Sequence, residues 1–220
     1  MINDIVPVGV AAVEATDDLP EATLLAEEEA VLGSVSQTRR REFTIARSCA
    51  RVALVKLGIS PAPILRGPSR EPLWPRGVVG SITHCAGYCA AAVAREASLV
   101  TIGIDAEVHD RLPPGVLELV ALDEERQWLH SWPTTGICWD RVLFSAKESI
   151  FKAWFPLTGK WLGFEDALVT IEPRHGRFGA RLLVERPSIG GCDVTHFEGR
   201  YRVEEGRVLT AVAMERHRQG

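Results

Sequence analysis

Apolar residues recur at helical spacing in several parts of this chain. The pattern is strongest over residues 38–57, where the apolar positions on one side are Phe43, Ala46, Ala50, Ala53, Leu54 and Leu57. It predicts an amphipathic helix that ends at Gly58, because glycine is favoured just past a helix C-terminus. Residues 19–32 predict an acidic helix rich in Ala and Leu. Further helices are expected at 115–121, 123–130 and 139–155.

Short apolar runs predict the strands. The first ones are expected at 78–84, 90–94 and 100–104, and the turn at 85–88 favours a hairpin between the first two. Residues 60–77, rich in Pro, Gly and Arg, predict an ordered loop instead.

The second half of the chain repeats the order of the first. Helices and then strands occur once before residue 100 and once after it, and the strand-like tail from Leu168 has turn signals at 173–176, 187–191 and 205–206. This order predicts an α+β fold of two similar lobes, residues 1–100 and 101–220, with the richest motifs at their junction.

The composition is that of a globular protein whose core needs neither a metal nor disulfides. The 220 residues are 46% apolar and 25% charged, and the formal net charge of −4 gives no reason to expect a nucleic-acid partner. Five cysteines follow neither a disulfide framework nor a zinc-site spacing. No signal-peptide pattern and no apolar run of ~18 residues is present. We therefore expect reduced thiols, a cytoplasmic protein and no membrane partner.

Charge is unevenly distributed near the N-terminus. Residues 1–38 carry eight acidic residues and no Lys or Arg, and the basic residues that follow are Arg39, Arg40, Arg41, Arg47, Arg51 and Lys56. Arg47 and Arg51 lie four apart and so share one face of the predicted helix. This basic run is either a solvated helix face or an anion-binding site.

Three carboxylates are candidates for binding a cation. Asp105 and Glu107 follow a predicted strand, and side chains two apart on an extended chain point the same way. Glu148 lies four residues before Lys152 on a predicted helix, so these two share one face. Adjacent carboxylates repel unless a cation separates them, and magnesium is held by carboxylates together with substrate phosphates. The residues alone leave two alternatives, a metal site or an acidic loop end with an ordinary Glu–Lys pair.

Polar residues end the first predicted strand. His84, which follows Ser81 and Thr83, suits either a hydrogen bond to a phosphate or a structural role. His84 and Cys85 are neighbours on a strand and point to opposite faces, which argues against a Cys–His hydrolase. Packing is the expected role of the thiols of Cys85, Cys89 and Cys138.

Five segments occur in an order and spacing that together form a specific signal. They are the arginine-rich segment 40–51, the loop 67–75, and the segments 80–85, 103–107 and 144–152. In this order they resemble the 4'-phosphopantetheinyl transferase superfamily, most closely its enterobactin-synthase and actinobacterial branch. Residues 164–166 resemble the family's element after the catalytic helix. Phe144 stands where the best-known family pattern has Trp, as in that branch, so an aromatic ring is kept.

The resemblance implies a fold and a set of site residues. The fold would be a pseudo-twofold pair of lobes, each a small and mostly antiparallel sheet packed with helices, with coenzyme A in the cleft between them. Magnesium, or manganese, would be held by Asp105, Glu107 and Glu148. The coenzyme A residues would be Arg47, Arg51, Arg70 and His84 on the phosphates, Ser81 and Thr83 along the cleft, and Lys147 and Lys152 as offsetting cations.

The implied reaction is attack by a carrier-protein serine on the β-phosphate of coenzyme A, with adenosine 3',5'-bisphosphate leaving. Glu148 would be the base, and Lys152 would stabilise the charge that develops on the phosphate. The implied partner is an apo acyl or peptidyl carrier domain, and the branch favours secondary metabolism and a monomer. Two alternatives stay open, a catalytically idle relative that binds coenzyme A or a carrier, and another magnesium-dependent phosphotransferase.

Overall fold

The computed structural model describes residues 1–16, 19–132, 136–184, 188–189 and 192–216. The helices within them are α1 (Ala26–Leu32), α2 (Gln37–Lys56), α3 (Val116–Val120), α4 (Asp123–Ser131) and α5 (Trp139–Thr158). The strands of the N-terminal half are β1 (Ala11–Thr16), β2 (Leu65–Arg66), β3 (Pro72–Leu73), β4 (Val78–Cys85) and β5 (Tyr88–Arg95). Those that follow are β6 (Leu99–Val108), β7 (Ala167–Glu172), β8 (Arg177–Leu182), β9 (Ser188–Ile189), β10 (Cys192–Asp193), β11 (His196–Glu204) and β12 (Arg207–Glu215).

Two antiparallel sheets organise these strands. One has the order β1–β5–β4 and the other β6–β12–β11–β8–β7, and the short strands form the pairs β2–β3 and β9–β10. In both sheets the strand that precedes the helices pairs with the last strand of its half. The expected α+β class is confirmed. The pseudo-twofold relation between the halves and their division at residue 100 stay predictions.

The two long helices lie on opposite outer sides of the two sheets. Alternate residues of β5 explain why its sequence is apolar throughout: Cys89, Ala91 and Val93 pack with α2, whereas Tyr88, Ala90 and Ala92 face the other way. On that inner side they meet the second sheet in a shared apolar cluster that also contains Ile2, Ile5, Ala12, Ile102, Ile104, Ala106, Leu209 and Ala211. The sheets therefore face each other across one core, with α2 and α5 outside.

Helix α2 forms where the periodic apolar pattern predicted it. The hydroxyl of Ser36 accepts a hydrogen bond from the Arg39 amide at 3.2 Å and caps the first turn. The chain leaves the helix at Gly58, whose φ of 71° is a left-handed value that glycine tolerates best. The apolar side, including Ala46, Ala50 and Leu54, is buried against the first sheet.

Several predicted elements were wrong in extent. The helix expected over 19–32 begins only at Ala26, where Glu28 accepts a hydrogen bond from the Leu25 amide and fixes the helix start. The short pair β2–β3 forms within the loop predicted at 60–77. Strand β6 continues through Asp105 and Glu107 to Val108, because the chain there pairs with β12.

Strand β1 was missed, since its alternation of Ala and Val with Glu14 is weak. The turns at 173–176 and 205–206 are confirmed. The predicted turn at 187–191 lies largely outside the described residues. Across the described part of the chain, no helix combines the length and apolar character needed to cross a bilayer.

Helix α5 approaches strand β6 closely because Gly103 has no side chain. A Cβ at this position would lie 2.0 Å from the carbonyl oxygen of Ser149 and 2.6 Å from the amide nitrogen of Ala153. The hydroxyl of Thr101 donates to the Ala153 carbonyl oxygen at 2.7 Å, one helical turn further along. This contact sets the distance between the helix and the strand that carry the acidic residues.

The substitution Gly103→Ala should destabilise the protein by about 3 kcal/mol, because overpacking against backbone atoms cannot be relieved by rotating a side chain. Urea unfolding followed by circular dichroism measures the change. Gly179→Ala on β8 is the matched control, since a Cβ there meets nothing within 4 Å. Equal stability of the two variants would contradict the proposed close contact.

Candidate active site

Two hydroxyl groups join the sheets where the acidic residues lie. The Ile104 amide donates to Ser81 Oγ at 3.0 Å, and the Ala106 amide donates to Thr83 Oγ1 at 2.9 Å. Both hydroxyl residues are on β4 and are buried. The two hydroxyl oxygens accept hydrogen bonds from backbone amides of β6, as the carbonyl oxygens of a paired strand would. Ser81 and Thr83 therefore hold the junction, a role that the resemblance did not imply.

The Asp105 carboxylate is held from both sides of this junction. Its Oδ1 accepts hydrogen bonds from Lys152 Nζ at 2.7 Å and from Thr83 Oγ1 at 3.3 Å. Its Oδ2 accepts a hydrogen bond from Ser145 Oγ at 2.8 Å. Only 4% of the residue is exposed. The ammonium group of Lys152 is thus the cation that Asp105 contacts directly.

Helix α5 runs antiparallel to β6 in a fixed register. Residues four apart on the helix meet residues two apart on the strand, in the pairs Arg141–Glu107, Ser145–Asp105, Ser149–Gly103 and Ala153–Thr101. Four helical residues rise about 6.0 Å and two strand residues about 6.6 Å, so the two repeats stay in step. The register brings the helix residues Glu148 and Lys152 beside the two acidic residues of the strand.

The three carboxylates interact electrostatically. Burial, and then the negative charge of Asp105, raises the pKa of Glu107 and of Glu148 above its ordinary value. Lys152 acts in the opposite direction on both, and Arg141 donates to Glu107 at 3.0 Å. The charge of Asp105 thus acts on both glutamates, and the joint metal-ligand role of the three carboxylates stays a prediction. Among the described residues, however, no three His, Cys, Asp or Glu side chains converge as a ready metal site.

A group of cations lies beside β4. The guanidinium groups of Arg47 and Arg66 both stack on the Phe43 ring, at 4.2 and 4.5 Å from its centroid, and Arg47 Nε donates to the Ile64 carbonyl oxygen at 2.7 Å. Burial, and then the charge of Arg66, lowers the pKa of Arg47 to about 10. Nη2 of Arg66 is buried without a hydrogen-bond partner in the described structure. The cluster therefore has more positive charge than the surrounding protein neutralises.

Arg39 extends this cluster toward the carboxylates. It forms a salt bridge with Glu42 at 3.2 Å and a hydrogen bond with Nε2 of His84. Burial, and then the charge of Arg39, lowers the pKa of His84, and the charge of Lys152 acts in the same direction. The imidazole is thus neutral at pH 7 and lies between the arginine cluster and Lys152. Sequence reasoning missed the roles of Arg39 and Arg66, although both lie in or beside segments noted for basic charge.

A cavity of about 880 Å³ lies between residues 69–82 and the C-terminal part of α5. The lining includes the exposed Arg70, the aromatic rings of Trp74 and Phe151, and Lys152. A smaller cavity of about 210 Å³ adjoins Glu148 and shares Phe151. The larger cavity thus adjoins the cations of Arg70 and Lys152, and the smaller one adjoins the carboxylate of Glu148.

Comparison with known proteins identifies the chain's family. The family model described as the 4'-phosphopantetheinyl transferase superfamily matches residues 101–212, and that of the 4'-phosphopantetheinyl transferase N-terminal domain matches residues 26–94. The chain belongs to the 4'-phosphopantetheinyl transferase superfamily. The first match alone covers half of the chain, and it contains the strand and the helix that carry the three carboxylates.

Individual relatives agree with this assignment. The chain is 47% identical to the 4'-phosphopantetheinyl transferase PptT of Mycobacterium tuberculosis, over 93% of this chain and 92% of the relative. It is 48% identical to the 4'-phosphopantetheinyl transferase Svp of Streptomyces mobaraensis, over 93% and 83%. Enterobactin synthase component D of Salmonella typhi is 32% identical over 63% and 58%. The chain is therefore an enzyme of the transferase type, and the resemblance to both groups of relatives is confirmed.

Two cations that the resemblance placed at coenzyme A have buried structural partners in this transferase. Arg51 forms a salt bridge with Glu28, whose side chain is fully buried, and also donates to the Thr23 carbonyl oxygen. Lys147 Nζ contacts Glu125, also fully buried, at 2.7 Å and donates to the Phe164 carbonyl oxygen at 2.7 Å. Each pair joins a short helix to a long one. We therefore assign Arg51 and Lys147 to the framework of the transferase and leave them out of the proposed ligand site.

The cysteines of the transferase fit a packing role. Within the described side chains, Cys49, Cys85, Cys89 and Cys138 are free thiols. Burial raises the pKa of Cys49 and of Cys85 to about 11 and that of Cys89 to about 12. These thiols are therefore protonated at neutral pH, when a nucleophile would be a thiolate. Cys192 lies outside the side chains described.

The substitution Glu148→Gln should raise the melting temperature of the transferase at pH 7 in the presence of a chelator. The native pKa of Glu148 is raised, so the folded protein binds its proton more tightly than the unfolded chain and loses stability as pH rises. Gln keeps the shape of the side chain without a charge that repels Asp105. The gain should shrink as pH falls, because the native carboxyl group then becomes neutral.

Thermal unfolding at pH 7 and pH 5 measures both effects. Glu198→Gln, at an exposed position of β11, provides the control. A melting temperature of Glu148→Gln at or below that of Glu198→Gln at pH 7 would contradict the electrostatic account.

Proposed function

We propose that this transferase moves the 4'-phosphopantetheine arm of coenzyme A to a serine of an apo acyl or peptidyl carrier domain, releasing adenosine 3',5'-bisphosphate in a magnesium-dependent reaction. One observation carries the proposal. Arg47 and Arg66 carry positive charge that their surroundings do not fully neutralise, and Arg39 beside them forms a hydrogen bond with His84. The charge of Lys152, which contacts Asp105, also acts on His84. A coenzyme with several phosphates fits these charges better than a singly charged ligand does.

The arginine cluster would bind phosphate oxygens of coenzyme A. Guanidinium groups match such oxygens in pairs of hydrogen bonds, and Nη2 of Arg66 has a free donor for one. Stacking on Phe43 holds Arg47 and Arg66 in place before the ligand arrives. Arg70, at the tip of the β2–β3 hairpin, would add a cation at the mouth of the cavity. Ser81 and Thr83 would shape the cavity wall while they keep the sheets joined.

Asp105, Glu107 and Glu148 are the residues that would hold the metal ion. Their oxygens are the hard ligands that magnesium and manganese prefer. Burial and the charge of Asp105 raise the pKa of both glutamates, so a bound cation would stabilise their charged forms. Lys152 and Arg141 now contact two of the three carboxylates, so binding would require Lys152 to release Asp105. When bound, the ion would neutralise phosphate charge during transfer.

Side chains of the protein would remove the serine proton, stabilise charge on the phosphate and limit the access of water. Glu148, whose pKa is raised by burial and by the charge of Asp105, would take the proton of the attacking serine hydroxyl. Lys152, once separated from Asp105, would direct its ammonium group to a phosphate oxygen. Phe151 and Trp161 line the small cavity beside Glu148 and would limit the access of water. Because one chain supplies both the cations and the carboxylates, a monomer suffices for this mechanism.

Transfer itself is tested by mixing the protein with an apo carrier domain, coenzyme A and magnesium. The intact mass of the carrier should increase by one phosphopantetheine arm, and chelator should prevent the increase. Asp105→Ala should reduce the rate by at least about 100-fold, because it removes a proposed direct ligand of the metal ion. Even residues that only orient such ligands commonly affect activity by about 10–100-fold.

Two outcomes would overturn parts of this proposal. Binding of coenzyme A without any mass increase on the carrier would indicate an idle relative. Transfer that persists in chelator, or a fully active Asp105→Ala variant, would contradict the metal assignment.

Arg51→Ala and Arg66→Ala should distinguish an arginine that stabilises the fold from one that binds coenzyme A. Arg51→Ala leaves Glu28 buried without its cation and should cost about 3–5 kcal/mol of stability, with the affinity for coenzyme A unchanged. Arg66→Ala removes one of several like charges, so stability should hold or rise, while the affinity for coenzyme A falls about tenfold.

Urea unfolding and calorimetric titration with coenzyme A measure the two quantities. Arg200→Ala, at an exposed position of β11, controls for the loss of a surface charge. A loss of coenzyme A affinity in a folded Arg51→Ala variant would return Arg51 to the ligand site.

A further inference from the structure

Two buried hydroxyl residues adjoin the acidic group without belonging to it. Ser145 lies on α5 and Thr210 on β12, and both are fully buried. Thr210 is the direct cross-strand partner of Asp105. Ser145 Oγ lies 2.8 Å from Asp105 Oδ2 and 3.0 Å from Thr210 Oγ1, and Thr210 Oγ1 lies 2.8 Å from the Ser145 carbonyl oxygen. The three side chains thus form one continuous chain of hydrogen bonds.

The ionised carboxylate fixes the direction of these hydrogen bonds. A carboxylate only accepts, and each hydroxyl group has one hydrogen to donate. The hydrogen of Ser145 therefore points to Asp105, and that of Thr210 points to Ser145, at either its Oγ or its carbonyl oxygen. Because neither hydroxyl carries a charge, this chain orients Asp105 without changing the net charge of the acidic group.

The second oxygen of Asp105 is oriented from elsewhere. Oδ1 accepts from Thr83 and Lys152, so Oδ2 is the oxygen that depends on Ser145. With Oδ2 held from the helix, the plane of the carboxylate cannot turn freely, and Oδ1 stays directed toward the side on which Lys152 lies. Loss of the Ser145 hydroxyl would leave the carboxylate held through Oδ1 alone.

We propose that Ser145 and Thr210 are positioning residues, which fix the Asp105 carboxylate in the orientation needed to bind a divalent cation. The inference rests on the proposed function, since it takes Asp105 as a ligand of that ion. Ser145 acts directly on Asp105, and Thr210 acts through Ser145. Groups that orient a metal ligand commonly contribute 10–100-fold to metal affinity or activity.

The structure offers a matched control for Ser145. Ser149 is also a buried serine of α5, one turn further on, but its hydroxyl donates to the Ala146 carbonyl oxygen. Ser149→Ala therefore removes an equally buried hydroxyl of the same helix while leaving the contacts of Asp105 in place. For Thr210 the control is Thr210→Ser, which keeps the hydroxyl.

The test measures the affinity of the full chain for Mn²⁺, in the presence of coenzyme A, from the electron paramagnetic resonance signal of the free ion. Ser145→Ala should weaken binding about tenfold, and Thr210→Val should weaken it less. Ser149→Ala should leave the affinity unchanged, and Thr210→Ser, which keeps the hydroxyl, should bind Mn²⁺ as tightly as wild type. In the transfer assay the KM for Mg²⁺ should rise by the same factor, with kcat at saturating Mg²⁺ within about twofold of wild type.

The inference is overturned if Ser145→Ala and Ser149→Ala have the same Mn²⁺ affinity, whether both keep it or both lose it. If Ser145→Ala does not fold, as judged by circular dichroism, the comparison of Thr210→Val with Thr210→Ser decides in its place. Failure of the proposed function is distinguishable: the wild-type protein would not bind Mn²⁺ at all, or Asp105→Ala would bind it as tightly as wild type.

Discussion

The contact between helix α5 and strand β6 is the constraint on which the candidate site depends. Gly103 lets the helix backbone approach the strand, and the match between a four-residue helical step and a two-residue strand step keeps their side chains opposite each other. As a result, Arg141 meets Glu107 and Ser145 meets Asp105. Glu148 and Lys152 then follow from the helical repeat, so one packing contact determines the position of the acidic group.

The site combines two local excesses of charge that the protein does not fully neutralise itself. Around Phe43, burial and the charges of nearby arginines lower the pKa of Arg47 and of Arg66. Around Asp105, burial and the charge of that carboxylate raise the pKa of Glu107 and of Glu148. A ligand that carries phosphates together with a divalent cation would relieve both. Until it binds, Lys152 partly compensates the acidic group, and the hydrogen bond between Arg39 and His84 requires a neutral imidazole.

The sequence was sufficient to predict the features that depend on local periodicity. It predicted α2, α5 and the common face of Asp105 and Glu107, since these follow from residues close together in the chain. It could not assign partners to cations, because a partner is set by the fold. Arg51 has the spacing of a ligand residue, yet its buried partner Glu28 lies 23 residues earlier.

The same limit applies to the neutral side chains of the site. Serine and threonine within helices and strands carry no signal that separates a group bonded to a carboxylate from one bonded to a backbone carbonyl. Ser145 and Ser149 lie on the same helix and are equally buried, yet only the contacts distinguish them. Strand β1 was missed for a related reason, because its pairing with β5 rather than its own pattern defines it.

The apolar cluster between the sheets also determines whether either part of the chain could fold alone. Ala90 and Ala92 come from the first half, and Ile104 and Leu209 come from the second, yet all are buried in the same layer. A fragment cut near residue 100 would expose this layer to water and lose its partner surface. The two parts of the chain thus depend on each other for burial, and the molecule should unfold as one cooperative unit.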